Sequence, residues 1–200
     1  MKFRYLLLIA ALLAVSCSKP EQYEGHPMLE ELMSRLDSTD VYIARYEARL
    51  NESRKTLKSL PADSRELYDA YIAMGRLYSK FIADSSIVFY DRAAQLAKRN
   101  GYQSEYYKAQ TYKAAILIHV GFFFEGSEIL DSIPLDELSD DDRLNYYNAR
   151  RGLYHDVYQG LNSKPDMRRE YVAKYESYRD TLLSMLPSDT SNALRDNRLD

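Results

Sequence analysis

The chain has 200 residues, enough for one domain with a core of its own. Its 27 basic and 30 acidic side chains leave a net charge of −3, which removes any electrostatic reason to bind nucleic acid. Only 7 glycines, 6 prolines and 1 cysteine are present, so turn formers are few and neither an internal disulfide nor a cysteine metal site can form. Many Ala, Leu, Arg, Glu and Lys residues point to helix.

Lys2 and Arg4 open the chain, and an apolar run follows from Tyr5 to Val15. A helix crossing a bilayer needs roughly twenty apolar residues, so this run is too short to span. It has the charge, length and position of a secretory signal. The run ends in Ala14-Val15-Ser16-Cys17, which resembles the lipobox of bacterial lipoproteins: small residues before a cysteine that is lipidated and becomes the new N-terminus. Leucine is usual three residues before that cysteine; here Ala14 stands there and Leu13 one step earlier. Residues 1–16 are thus expected to be a signal peptide, Cys17 the lipidation site and 17–26 a polar tether holding an exported chain at the cell envelope. Each buried methylene contributes roughly 0.8 kcal/mol, so two or three acyl chains anchor where one holds only marginally.

Pro27 suits a first helical position, and Met28, Leu29, Leu32, Met33 and Leu36 form an apolar stripe behind it. Asp37-Ser38-Thr39-Asp40 is rich in N-cap types, so a break and restart are expected there. The next helix carries Tyr42, Tyr46, Leu50, Ser53, Leu57 and Leu60 on one face and ends at Pro61. A third starts near Asp63, which stands three residues before Glu66 as in a capping box, and shows Leu67, Tyr71, Met74, Tyr78 and Phe81. Asp84 reads as the cap of a fourth, with Ile87, Tyr90, Ala93, Ala94 and Ala97, closed by Asn100-Gly101. Tyr106, Ala109, Tyr112, Ala115, Ile116 and Val120 mark a fifth, ending at Gly121. A short sixth carries Phe123, Gly126, Leu130 and Ile133. Ser139 followed by Asp140, Asp141 and Asp142 is a helix start, a hydroxyl cap with acids at the positive end of the dipole. That seventh helix shows Leu144, Tyr147, Leu153, Tyr154, Val157, Tyr158 and Leu161. The eighth runs from Pro165 towards Pro187 with Tyr171, Tyr175, Tyr178, Leu182 and Met185. Nothing alternates with period two, so the fold class is all-α: antiparallel helix hairpins stacked as a short solenoid.

Such hairpins invite a search for a repeat. Tyr71, Met74, Gly75 and Tyr78 fit the first helix of a tetratricopeptide unit, and Ser86, Tyr90 and Ala93 fit the second with a turn one residue short. Ala114, Leu117, Gly121, Phe123, Gly126, Leu130 and Ile133 fit a second unit, with Lys113 where an apolar residue belongs. A third begins at Gly152. Small residues in such units let two helices approach, and large ones fill the groove between them. The stretches DVYIARYEARLNESRKTL (40–57), Arg65 to Asn100, and YRDTLLSMLPSD (178–189) resemble the N-terminal region of an uncharacterised Bacteroidetes family. Its members join a signal sequence to tetratricopeptide-like (TPR-like) helices. The resemblance implies envelope-spanning regulators, in which the repeats precede a transmembrane helix, a coiled coil and a cytoplasmic portion; those later parts are not among these residues. The expected organisation is 1–16 signal, 17–26 tether, 27–61 N-terminal helical segment, 62–187 repeats and 188–200 tail.

No Gly-rich phosphate cradle, no Gly-x-Ser-x-Gly elbow and no nucleophile–base pair occurs, so neither a catalytic residue nor a cofactor is expected. His26, His119 and His155 lie far apart in sequence and lack ligand spacing, so no metal site is expected; neighbouring His155 and Asp156 should point to different sides. Asp140 to Asp142 lack the Gly and terminal Glu of a calcium loop and read as capping. Lys98-Arg99, Arg150-Arg151 and Arg168-Arg169 read as solvated helix faces. The 19 tyrosines admit two readings: rings packed between helices with hydroxyls reaching water, or rings lining a groove. The groove candidates are Tyr71, Tyr78, Tyr112 and Tyr147, on the first helices of their hairpins. The partner expected is a protein or peptide, with the membrane reached through the lipid anchor. Two functions follow: an envelope-anchored scaffold, or the periplasmic sensor portion of a membrane-spanning transcriptional regulator.

Overall fold

A computed structural model describes residues 27–37 and 39–186. The expected signal peptide, Cys17, the tether, His26 and the tail from residue 188 lie outside the described residues. Among those described, the order is α1 (Pro27–Asp37), α2 (Thr39–Ser59), α3 (Arg65–Tyr78), α4 (Ala83–Arg99), α5 (Gln103–His119), α6 (Phe123–Asp131), a 3-10 turn (Leu135–Glu137), α7 (Asp140–Gln159) and α8 (Pro165–Met185). No strand occurs among them, so the all-α class read from periodicity is the class that forms. None of these helices is long and apolar enough to cross a membrane.

The chain divides into two compact units, residues 1–48 and 49–200, with the boundary inside α2. In the first, the α1 stripe is present but Met28, Leu29, Leu32 and Met33 are all exposed, as are Val41, Tyr42 and Ile43 of α2. In the second, each helix from α3 onward packs on the next, and α5 also packs on α7. Its core has two parts. Tyr68 and Ile72 of α3, Tyr90 and Leu96 of α4 and Ala109 of α5 form one, with Leu57 and Leu60 packed against it. Ala114 and Ile118 of α5, Leu130 of α6 and Tyr146 and Leu153 of α7 form the other. Helix α5 serves both, so it is buried around its circumference rather than along one stripe.

The helix ends show how local chemistry sets these bounds. Ser64, not Asp63, caps α3: its hydroxyl accepts from the Leu67 amide at 3.0 Å. Asp63 instead sits at φ 62° with its carboxylate 2.8 Å from Arg99. Asp84 is not a cap either; α4 begins at Ala83, and Asp84 places its charge in the first turn. Ser139 caps α7 as expected, accepting from the Asp142 amide at 3.2 Å. Helices α4 and α5 end in the same lock. Gly101 (φ 71°) lets Tyr102 N–H donate to Ala97 O at 2.9 Å, and Gly121 (φ 94°) lets Phe122 N–H donate to Leu117 O at 2.8 Å. Helix α3 stops at Tyr78, so Phe81 falls in the turn beyond it and is 68% exposed, outside the stripe assigned to it.

The first two hairpins share one close crossing. A Cβ on Gly75 would lie 2.4 Å from Tyr90 Cε1, and the Ser86 hydroxyl donates to Gly75 O at 2.8 Å. A Cβ on Gly126 would lie 2.6 Å from Ile118 Cγ1 and 3.1 Å from Ala114 O. Small residues at Gly75 and Ser86, then at Ala114 and Gly126, thus set the helix separation. Gly152 plays no such part: nothing lies within 4 Å of a Cβ there, and the buried small residue of α7 is Ala149.

Candidate interaction site

Side-chain rungs give the helix directions. The Tyr68 hydroxyl donates to Glu105 O at 2.8 Å, and one turn-pair later Arg76 donates to the Tyr112 hydroxyl, so α3 and α5 run parallel. Lys108 meets Asp142 at 3.1 Å, and further along Asn145 donates to the Tyr112 hydroxyl at 3.3 Å, so α5 and α7 run parallel too. The first helices of the three hairpins therefore lie side by side in one direction. Arg76, Tyr112 and Asn145 form a continuous polar line across them. The Arg76 guanidinium also stands 4.9 Å from the Tyr112 ring centre, and that ring stacks on buried Tyr90 at 5.5 Å.

Nearer the N-terminal ends of the same helices stands a second line. Arg65 pairs with Glu105 at 2.6 Å and Lys108 with buried Asp142. Asp142 accepts from the Ser139 hydroxyl through one oxygen at 2.7 Å. Its other oxygen makes no aligned hydrogen bond, so the Lys108 contact is an ion pair by proximity only. Burial, then the Glu105 and Asp142 carboxylates, push the Tyr68 phenol far above its ordinary range.

The four groove candidates take different places. Tyr71 and Tyr78 share Phe89 of α4, at 6.2 and 5.5 Å between ring centres, and the Tyr78 hydroxyl accepts from Arg54 of α2 at 2.6 Å. Tyr112 lies on the three-helix line. Tyr147 stands between Tyr146 and Tyr178, at 5.6 and 6.1 Å. The structure thus brings Tyr71 and Tyr78 together around one ring and gives Tyr112 and Tyr147 other partners.

Several polar residues have roles that the sequence did not disclose. Arg150 is not on a solvated face: it is 4% exposed, paired with Asp131 and hydrogen-bonded to the Tyr146 hydroxyl at 3.0 Å. Burial disfavours its charge, but the bonds to Asp131 and Tyr146 outweigh that and hold its pKa above the ordinary value. Arg99 is held by Asp63 in the same way, though at the surface. Lys113, in an apolar position of the repeat pattern, reaches Asp91 of α4 at 2.7 Å. His155 and Asp156 do not point apart; His155 Nδ1 and Asp156 Oδ1 are 2.9 Å apart. Among the described residues no three His, Cys, Asp or Glu side chains gather as metal ligands. Arg76 and Asn145 were invisible as partners of Tyr112 because each lies on a separate helix.

A sequence model of the SusR N-terminal TPR domain matches residues 36–199. No curated protein and no solved structure matches the chain. The chain belongs to the SusR N-terminal TPR domain family.

Proposed function

From that membership we propose that the chain is an envelope-anchored scaffold whose three parallel first helices hold a protein or peptide partner. TPR-type domains are in general non-catalytic scaffolds for protein–protein interaction. The observation that supports this site is the Arg76–Tyr112–Asn145 line, a set of hydrogen-bonding groups spanning three hairpins on one face. A photo-crosslinking side chain at exposed Ala73, one turn from Arg76, is expected to yield one discrete adduct in native envelopes. The same group at exposed Gln95 on α4 is expected to yield none. Adducts of equal yield from both positions, or from neither, would overturn the reading.

The anchor is tested separately by the intact mass of the protein extracted from native membranes. A mass of residues 17–200 plus acyl chains is expected; a mass that still includes residues 1–16, without acyl chains, refutes lipidation at Cys17. The matched family is named for an N-terminal domain, which favours a second reading, the periplasmic sensor portion of a membrane-spanning regulator. A native mass well above that of 200 residues would select it.

A further inference from the structure

Because α3, α5 and α7 are parallel, the turns that follow them all emerge on one edge of the solenoid, and the turns that precede them on the other. The two edges differ in chemistry. The preceding turns and first helical turns carry Asp63, Glu66, Glu105, Asp136, Glu137 and Asp140, an acidic rim only partly offset by Arg65, Lys98, Arg99 and Arg143. The following turns instead lift apolar side chains into solvent. Phe81 and Ile82 are 68% and 48% exposed after α3, and Phe122 and Phe124 are 53% and 71% exposed after α5. Lys80 stands beside the first pair. After α7 the exposed Met167 neighbours Arg168 and Arg169, which with Asn162, Pro165 and Asp166 line an open depression of about 560 Å³.

We propose that this edge docks on the surface of an anionic lipid bilayer, with the phenylalanines entering the headgroup–acyl boundary and Lys80, Arg168 and Arg169 meeting lipid phosphates. Separate protruding apolar side chains, with cations beside Phe81 and Met167, suit an interface that is soft and laterally uniform. Asp84, Glu125 and Asp166 offset three of the four cations Lys80, Lys164, Arg168 and Arg169, and Asp166 holds Arg169, so the apolar side chains supply most of the attachment. The acidic rim faces away, since an anionic surface repels it within a Debye length. This edge would orient the solenoid with its helices standing on the membrane, a constraint that a lipid anchor alone does not impose. The proposal does not depend on lipidation of Cys17.

The chain contains no tryptophan, so one indole reports one place. Full-length Phe124→Trp and, as the acidic-rim control, Asp136→Trp are each mixed with vesicles of brominated phosphatidylcholine and phosphatidylglycerol in equal parts. Helical circular dichroism confirms the fold of each. The Phe124→Trp indole is expected to shift to the blue and lose most of its emission, while the Asp136→Trp indole keeps its own. Phe81→Ser is expected to weaken vesicle binding by about tenfold. Three results overturn the proposal. Vesicles that sediment with the protein while both indoles stay bright mean attachment through the N-terminal segment alone. A blue shift that grows with protein concentration and needs no lipid means contact between copies of the chain. No binding and no shift means a solvated edge.

Discussion

The same substitution is expected to act with opposite signs at two glycines. Gly75→Ala puts a methyl group 2.4 Å from the Tyr90 ring, which is 2% exposed and stacked on Tyr112. Overpacking of this kind costs about 1–3 kcal/mol, more than the ~1 kcal/mol that alanine gains in a helix. Gly152→Ala meets nothing within 4 Å and keeps the helical gain, so it stabilises by about 0.5–1 kcal/mol. Urea midpoints of the two variants, on either side of the parent, check this. Arg150 gives a second test. Asp131→Ala strips the carboxylate from a guanidinium with a 5% exposed side chain, whereas Arg150→Met removes the charge itself. The first is expected to destabilise by more than the second, although the exposed Asp131 keeps the cost to about 1–3 kcal/mol. Equal midpoints would mean that water already solvates the cation. At this scale the sequence disclosed what is local. Ser139 is read correctly because cap and amide are three residues apart. Arg150 is misread because its carboxylate lies on another helix.

Elements were the most legible level, because a 3.6-residue apolar period and a glycine stop are written within one helix. The break between α1 and α2, the stop at Asn100-Gly101 and the start at Ser139 were each readable. The start of α4 was not: it follows Ile82 with no side-chain cap, and the nearby Asp84 drew the assignment, whereas α8, equally uncapped, was marked by Pro165. Helix α5 shows a further limit, since a helix buried on several sides has no single stripe to betray its core residues. Ala114 and Ile118 are both among the most buried residues and both fell outside the stripe read for it. The paired locks after α4 and α5 predict matched costs. Gly101→Ala and Gly121→Ala each force a side chain into positive φ with no steric neighbour, so each is expected to lose about 1 kcal/mol by thermal unfolding. A marked difference between them would show that one turn carries strain beyond its backbone angle.

Whole-molecule behaviour rests on buried phenols. Burial first, and neighbouring charges second, raise Tyr68, and burial raises Tyr90 to about 12 against a partly compensating bond to Ser86; burial also raises Tyr146. Below the ordinary tyrosine value of 10.0 both folded and unfolded chains keep these protons, and the shifts have no effect. Above it the unfolded chain releases protons that the folded chain retains, so stability falls as pH rises through that window. The phenolate absorbance of Tyr68, Tyr90 and Tyr146 should appear only together with loss of helical circular dichroism. A single step near pH 10.0 with helix intact would contradict this. The long-range line of Arg76, Tyr112 and Asn145 belongs to this scale as well: stacked hairpins imply that the three first helices run parallel, but no spacing within the chain tells which side chains meet across them.

Helix α8 is fastened to α7 by rings, Tyr154 on Tyr178 at 5.4 Å and Tyr158 on Tyr175 at 5.4 Å. Its far side carries Arg169, Glu170, Glu176, Ser177, Asp180 and Ser184, all exposed. A stack of like hairpins has an inherent danger, because any uncovered last layer is a template for the first layer of a neighbouring molecule. A charged outer flank removes that template. The tyrosines glue inward, while the opposite flank of α8 offers a neighbouring copy charge and hydroxyls instead of an apolar face.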